Sequence, residues 1–584
     1  MFGGVNLRVL WSFVRPHRWV LALGIVLGLA TTGATLATPM VTRSLLDGLA
    51  STNSSGTPIG QWVWLLVALL LAGAGFGLAQ WMLLGRLAET IVLDARSAMV
   101  RRLFRVRLGE LARRPGGELV TRVTSDTVLL REAAGSVVEL VNGVVGIGGA
   151  LVLMALLDGV LLATTLAAMI VVMIVFALLM PGISRAQKSA QAAVGRMGGS
   201  LEGALRAIRT VKASRAEERE SARIIAEAEA SRNQSVRAVR IEAVAWTVAG
   251  SGLQLAILLI LAIGAARVGT GALAVSGLVA FLLYAFGLMD PVSQLSQSIT
   301  HLQAGIAAAA RIREIDGLEV ERTGGVVVPR RETPAALSFR NVTARHAPAA
   351  PPAVAGVDLD IAARGHTAIV GPSGAGKTTL FSLMLGFVTP TGGELVLGGT
   401  PLASLPLAEV RRRIVYVEQD TPLVSGTLRE NVLYTDPDAG EAAVWAALAA
   451  VRLDERARSL ELGLDTPMAN AVVSGGERQR IALARALVSD PEILLLDEAT
   501  AQLDGLTEAA VQEAVRRVAR TGAVVTIAHR LSTVVDADRI VVMEAGAVRA
   551  AGTHAELLAS DALYRDLVRA LKIDTGPAPD LIAS

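Results

Sequence analysis

The chain has no cysteine among its 584 residues. That absence excludes disulfides, thiolate metal sites and a cysteine nucleophile together, and it leaves the redox compartment unread. Lysine is scarce too, present only at Lys188, Lys212, Lys377 and Lys572, so the positive charge is carried by arginine. No polybasic tail stands out and the formal net charge is only +3, which argues against a nucleic-acid partner. Charged residues make up 18% of the chain and hydrophobic ones 52%, with a mean hydropathy of +0.51. An ordinary soluble domain carries about 25% charge, so this composition describes a membrane protein with a soluble part, and the length requires more than one domain.

The apolar content is uneven. Long runs of Leu, Val, Ile, Ala and Gly fill the first 300 residues, and six of them reach the roughly 20 residues a membrane helix needs: 19–41, 61–84, 136–157, 159–181, 243–266 and 273–295. The first lacks a small-residue cleavage pattern and five more follow, so it reads as a span and not as a signal peptide. Arginine sets the orientation. Segment 85–134 carries ten, including Arg96, Arg102, Arg107, Arg122 and Arg131, and 182–242 is similarly rich, whereas the connections near 42–60, at Asp158 and at Arg267 have almost none. The positive-inside rule then puts both long loops and both termini in the cytoplasm. The loops keep a helical pattern apart from "RRPGG" at 113–117, so the spans are expected to continue into the cytosol. Ahead of them, "LRVLWSFVRPHRW" reads as an interfacial amphipathic helix.

After "AAAARIREIDG" the texture changes, and "ERTGGVVVPRRETPA", 321–335, reads as a Gly/Pro/Arg connector. The expected divisions are a membrane domain over 1–318, a linker over 319–335, an α/β domain over 336–572 and a loose tail over 573–584. In the third of these, apolar strands alternate with helical stretches.

Two motifs carry the chemistry. Gly371, Pro372, Ser373, Gly374, Ala375, Gly376, Lys377 and Thr378 fit G-x-x-x-x-G-K-[ST], after a strand and before a helix, with Thr379 next. Backbone amides close on phosphates there, Lys377 reaches the outer ones, and the Thr378 hydroxyl is a Mg2+ ligand. In "ILLLDE", a buried strand delivers Asp497 to the metal, and Glu498 follows where an attacking water needs polarising. Together they describe a nucleotide phosphate site with Mg2+. A second glycine pair, in "VVSGGERQRIALARA" at 472–486, also precedes a helix and looks like another phosphate cradle.

With these residues in place the chain closely resembles the ABC transporter family, specifically exporter-type half-transporters, over nearly its whole length. The resemblance implies an α-helical transmembrane domain of six helices followed by an α/β P-loop ATPase domain. It makes Ser474, Gly475, Gly476 and Glu477 the signature motif, Gln419 the Q-loop residue and a metal neighbour, Asp504 the D-loop residue and His529 the switch histidine. It also explains the second cradle: in the family the signature loop covers ATP bound by the glycine loop of a second subunit, which implies a homodimer, or a pairing with a related half-transporter. Since Glu498, Ser474 and His529 are all present, no site reads as degenerate, and a homodimer is favoured. Segments 198–220 and 110–131 resemble the family's coupling segments.

Three departures accompany the resemblance. His346 stands where an aromatic ring usually stacks on adenine; an aromatic platform is worth about 1 to 3 kcal/mol per base. Imidazole stacks as well, but histidine is the side chain that changes charge around neutral pH, so weaker, pH-sensitive ATP binding is expected. "DTPMANAVVSGGE" is short and lacks the Gly-Glu-x-Gly element before the signature, and "AQLD" replaces the commoner Ser-Ala-Leu-Asp. In the sixth span, Asp290 and Pro291 fall within a helix that the resemblance turns toward a central cavity; a carboxylate at bilayer depth is a functional candidate by default. Asp290 and Tyr284 are the substrate candidates, with Phe286, Trp81 and Trp246 as further cavity or interfacial residues.

The implied function is ATP-driven export of an amphipathic or hydrophobic small molecule, lipid or peptide from a bacterial cell membrane by alternating access. Siderophore-type uptake on the same fold, and a membrane ATPase that gates or signals without pumping, remain open alternatives. No siderophore-handling domain is visible to favour uptake. The lack of a cysteine protease domain argues against a peptide exporter that trims its cargo.

Overall fold

The computed structural model describes residues 4–50, 59–326, 333–347, 349–468, 473–497, 505–528 and 530–573. The chain divides into two compact units, one of residues 1–101 and 117–317, the other of 102–116 and 318–584.

The helices of the first part of the chain are α1 (Gly4–Val14), α2 (Arg18–Ala50), α3 (Ile59–Leu103), α4 (Leu108–Ala112), α5 (Gly116–Thr121), α6 (Thr127–Leu157), α7 (Gly159–Arg206), α8 (Ile208–Ala213), α9 (Glu217–Gly269), α10 (Val275–Gly287) and α11 (Met289–Asp316). Among the described residues, five helical segments are long and apolar enough to cross a membrane: Arg8–Leu49, Ile59–Leu103, Gly116–Leu157, Glu217–Gly269 and Val275–Asp316. The expected span at 159–181 falls on α7, whose described apolar stretch is Gly159–Val171. At 1.5 Å per residue, the 45-residue α3 is about 68 Å long, roughly twice a hydrocarbon core, so such helices extend well past the bilayer.

In the first unit α7 and α9 run antiparallel along each other, as do α6 and α11; α2 packs on α6 and α10. Met154, Leu161, Ile260, Phe281 and Tyr284 close a core where α6, α7, α9 and α10 meet. Above it, Asp158 caps α7 by accepting from the amides of Val160 (2.9 Å) and Leu161 (3.0 Å), and takes the Arg267 guanidinium at 2.7 Å. The two short connections are thus joined by one carboxylate. At the other end of α6 lies one turn of π-helix, Arg122–Asp126. Arg122 donates to Glu118 (2.7 Å) and to the Arg311 carbonyl (2.8 Å) and pairs with Glu314 (2.7 Å), while Arg311 takes Asp126 with both arms.

The sixth span is not one helix. α10 stops at Gly287 and α11 starts at Met289, so Pro291 occupies the first turn, where a missing amide hydrogen breaks no helical bond. Asp290 lies in the same turn and is exposed.

Among the described residues the second unit holds ten strands, β1 (Ala335–Ala344), β2 (Val354–Ala362), β3 (Gly365–Val370), β4 (Gly392–Leu397), β5 (Thr400–Pro401), β6 (Ile414–Val417), β7 (Ile493–Asp497), β8 (Ala523–Ile527), β9 (Arg539–Glu544) and β10 (Ala547–Gly552). Its helices are α12 (Lys377–Met384), α13 (Leu407–Arg413), α14 (Leu428–Val432), α15 (Glu441–Ala450), α16 (Asp454–Ser459), α17 (Gly475–Val488), α18 (Gly505–Thr521), α19 (Leu531–Val535), α20 (His554–Ser560) and α21 (Ala562–Ile573). An antiparallel sheet of order β2-β1-β4-β5 accompanies a larger sheet of order β10-β9-β3-β8-β7-β6, parallel from β9 to β6. Parallel strands are covered on both faces. This is why β7 (ILLLD) and β8 (AVVTI) carry unbroken runs and are buried at every position. One face builds a core with β1, β2, β4 and α12, the other with α14 to α17.

Candidate functional site

The motifs converge because of strand direction. β3, β8, β7 and β6 are parallel neighbours whose registers pair Ile369 with Ile527, Asp497 with Ile527 and Val417 with Leu496. Whatever follows their carboxyl ends emerges at one edge of the sheet, the edge where open α/β sheets bind ligands. The glycine loop follows β3, Asp497 closes β7, and Gln419 lies two residues past β6, exposed in a turn. Glu498, Asp504 and His529 lie outside the described residues.

Gly371 (φ 154°) and Gly376 (φ 96°) take left-handed backbone angles. A side chain at either would collide with backbone: its Cβ would sit 2.3 Å from the Met543 carbonyl oxygen at Gly371, and 2.4 Å from that of Ala353 at Gly376. Gly376 caps α12, so the amides at this helix start point into the loop. Lys377 begins the helix 7% exposed, its Nζ donating to the carbonyls of Gly371 (2.8 Å) and Pro372 (3.0 Å). Pro372, Ser373, Gly374 and Thr378 face solvent, whereas Ala375 and Thr379 are buried. His346 follows β1, and its Nε2 lies 3.2 Å from Thr379 Oγ1, so the departing residue stands beside the phosphate-loop helix.

Asp497 is 5% exposed. The Tyr416 hydroxyl donates to its Oδ2 at 3.3 Å, a contact across 81 residues that no local spacing announces. Burial, followed by the charges of Asp497 and Glu418, pushes the Tyr416 phenol above its usual range, which keeps it a donor. The donor set fits the two ligands. Left-handed glycines, a helix start and a lysine suit a triphosphate. Hard oxygens from Thr378 and Asp497 suit Mg2+, which is held by one or two protein oxygens together with phosphates. No group of three or more His, Cys, Asp or Glu that could hold a metal ion occurs among the described residues.

The second cradle is also preformed. Ser474 caps α17 in a capping box: its hydroxyl accepts from the Glu477 amide (3.2 Å), and Glu477 Oε2 accepts from the Ser474 amide (2.8 Å). Arg456 donates to the other Glu477 oxygen at 3.2 Å. Burial works against the charge, but the Ser474 amide and hydroxyl and Arg456 outweigh it and hold the Glu477 carboxyl below its usual value. Gly475 and Gly476 form the first turn, partly exposed. The loop lacking a Gly-Glu-x-Gly element has residues 469–472 outside the described set, as is all of "AQLD".

Of the substrate candidates, Tyr284 is 3% exposed inside the helix core, and its hydroxyl donates to the Leu36 carbonyl at 2.6 Å. Asp290, Phe286, Trp81 and Trp246 are exposed in this chain.

A helical membrane unit joined to a P-loop ATPase unit is the architecture of a membrane transport ATPase. Family models agree: that of the ABC transporter transmembrane region matches residues 21–292, and that described as ABC transporter matches 354–501. The ATP-dependent lipid A-core flippase of Ralstonia nicotianae is 32% identical over 579 residues, covering 97% of this chain and 96% of that protein. The mitochondrial potassium channel ATP-binding subunit of Pongo abelii is 31% identical, over 97% of this chain and 81% of its own length. A multidrug resistance ABC transporter ATP-binding and permease protein of Lactococcus lactis subsp. cremoris is 29% identical, over 95% and 93%. Among solved structures, a bacterial Atm1-family ABC exporter with ATP bound matches with a TM-score of 0.79 at 26% identity, covering 96% of this chain and 99% of that one. The chain belongs to the ABC transporter family, as an exporter-type half-transporter that couples ATP hydrolysis to transport across a membrane.

Proposed function

We propose that two copies of this chain export an amphipathic or hydrophobic compound, a small molecule, a lipid or a peptide, by alternating access in a bacterial plasma membrane, with both ATPase units and all termini cytoplasmic. The observation that carries the dimer is the pair of cradles. α12 and α17 both begin as anion-binding helix starts, yet α12 is rooted in one core of the ATPase unit and α17 in the other. Two separately anchored cradles suit one ATP held between the glycine loop of one copy and the signature of the next.

Bound ATP supplies a phosphoanhydride bond whose cleavage drives the cycle, and Mg2+ offsets phosphate charge. The protein's part is positioning. Loop amides and Lys377 hold the outer phosphates; Thr378, Asp497 and Gln419 present oxygens to the ion, with Asp497 oriented by Tyr416. Glu498 polarises the attacking water, His529 supports the terminal phosphate, and Asp504 joins the two sites across the pair. Ser474, Gly475 and Gly476 cover the terminal phosphate from the opposite copy, while Glu477 rigidifies that turn. The arginine-rich loops support the cytoplasmic orientation, and exposed Asp290 would favour cationic cargo.

The test is ATPase activity of the purified chain alone in lipid, wild type against Glu498→Gln, across a panel of amphipathic compounds and lipids. Activity that the substitution abolishes while ATP binding remains, and that some compounds raise, supports a self-sufficient homodimeric exporter. A folded, ATP-binding chain that hydrolyses nothing alone requires a different partner chain and removes the homodimer.

A further inference from the structure

The connector between the membrane helices and the ATPase sheet reads in sequence as a Gly/Pro/Arg segment, but residues 318–326, where the chain enters it, are stitched on both sides within the second unit. On one side Val320 bridges Val106 in antiparallel fashion, with the Arg107 amide donating to the Glu319 carbonyl (2.9 Å) and the Glu321 amide to the Arg105 carbonyl (2.7 Å). Arg102, in the last turn of α3, donates to the Leu318 carbonyl at 2.8 Å, and Arg107 pairs with Glu319 at 2.6 Å. On the other side Glu321 takes both arms of Arg411, each at 2.7 Å. Arg322 donates to the carbonyls of Leu402 and Ala403, and the Val326 amide donates to the Ser404 carbonyl at 3.0 Å.

Arg411 is the junction. It lies on α13, which feeds β6 and the Gln419 turn. Its Nε donates to the Leu385 carbonyl at 3.2 Å, and its guanidinium stands 4.9 Å from the Phe387 ring. Leu385 caps the far end of α12, the helix that begins with Lys377, and eight residues of helix span only about 12 Å. A planar, always-charged guanidinium bound to a carboxylate, a helix-end carbonyl and a ring together is held in one orientation. A displacement of the phosphate-loop helix is therefore delivered through Arg411 and Glu321 to the strap, and through the 106–320 bridge to the end of α3.

We propose that residues 318–326 form a coupling strap that moves with segment 102–107 and the 402–411 edge as one body during turnover, and that Glu321 and Arg411 are its positioning residues. This rests on the transport reading above and deepens it: part of the ATPase movement reaches the membrane helices within the same chain, beside any transmission through the loops that resemble coupling segments.

Two arms test it, and the cysteine-free chain makes the first one clean. Val106→Cys with Val320→Cys places thiols at a non-hydrogen-bonded antiparallel pair, where Cα atoms are about 4.5 Å apart, within disulfide range. Oxidation is expected to cross-link the chain equally without nucleotide and in the vanadate-trapped state, and to leave ATPase activity where the reduced form has it. A cross-link lost on trapping, or one that stops turnover until reductant is added, overturns the proposal. In the second arm, Glu321→Arg or Arg411→Glu alone is expected to weaken stimulation of ATPase by transported compounds about 2- to 30-fold, the span of long-range coupling energies. Compound-free turnover stays within about twofold, and the double reversal recovers stimulation. Equal loss of basal and stimulated activity, or no recovery in the double variant, overturns the positioning role. If no compound stimulates even the wild type, the export reading fails, while the cross-linking arm still decides whether the strap moves as one body.

Discussion

Tyr416 on β6 reaches across to Asp497 at the end of β7, its hydroxyl donating to Oδ2 at 3.3 Å. Asp497 is legible because four apolar residues precede it and a glycine loop lies upstream; its partner hydroxyl comes from 81 residues away on β6, and no local spacing announces it. Tyr416→Phe removes that donor and leaves the ring's edge-to-face packing on Phe381 in place. Partners that orient metal ligands are typically worth about 10- to 100-fold, so the Mg2+ concentration needed for half-maximal ATPase is expected to rise about tenfold, with thermal stability little changed. An unchanged Mg2+ titration contradicts the assignment. His346 was visible as a departure from the family pattern, though its contact with Thr379 was not. His346→Tyr is expected to tighten ATP binding several-fold, within the roughly 1 to 3 kcal/mol that stacking provides. Equal affinity at every pH contradicts an adenine-side role.

At the scale of elements, β7 and β8 and the glycine loop declared themselves because buried parallel strands are continuous apolar runs and phosphate loops need glycine at fixed spacing. The π-turn at Arg122–Asp126 and the strap at 318–326 did not, since each is fixed by partners far along the chain. The signature helix yields a pH prediction. Glu477 has a lowered pKa in the folded chain, so its contribution is fully present above its unfolded value of 4.5 and is lost as pH falls through the lower, folded value. Helix caps are worth about 0.5 to 2 kcal/mol. Glu477→Ala should cost about that much in chemical unfolding of the ATPase unit at pH 7, and the gap to wild type should close as the medium is acidified below that window. A gap independent of pH contradicts the assigned charge. In the membrane unit, Asp158 caps α7 and also holds Arg267, whereas the Arg267 side chain serves the ion pair and caps no helix. Asp158→Ala is therefore expected to lower the melting temperature in detergent more than Arg267→Ala does. The reverse order contradicts the capping account.

For the whole molecule, six apolar runs, two arginine-rich loops and an ordered set of short motifs made the class readable, because membrane thickness and phosphate chemistry constrain sequence tightly. Cargo leaves no comparable mark. Tyr284 reads as a cavity residue on a resemblance alone, and its hydroxyl donates to α2, while Asp290 is exposed at the start of α11. Asp290→Asn should reduce stimulation by cationic compounds while sparing neutral ones, read as compound-stimulated ATPase; equal loss for both contradicts a charge-recognition role. The central claim is that ATP hydrolysis by this chain alone moves an amphipathic compound across a membrane. The most direct measurement is accumulation of fluorescent amphipathic compounds and lipids inside vesicles reconstituted with only this chain, with ATP and Mg2+ supplied outside. The account predicts accumulation that requires hydrolysis and disappears with Glu498→Gln. Vigorous ATP hydrolysis with no movement of any compound or lipid would contradict it and leave a membrane ATPase that gates or signals instead.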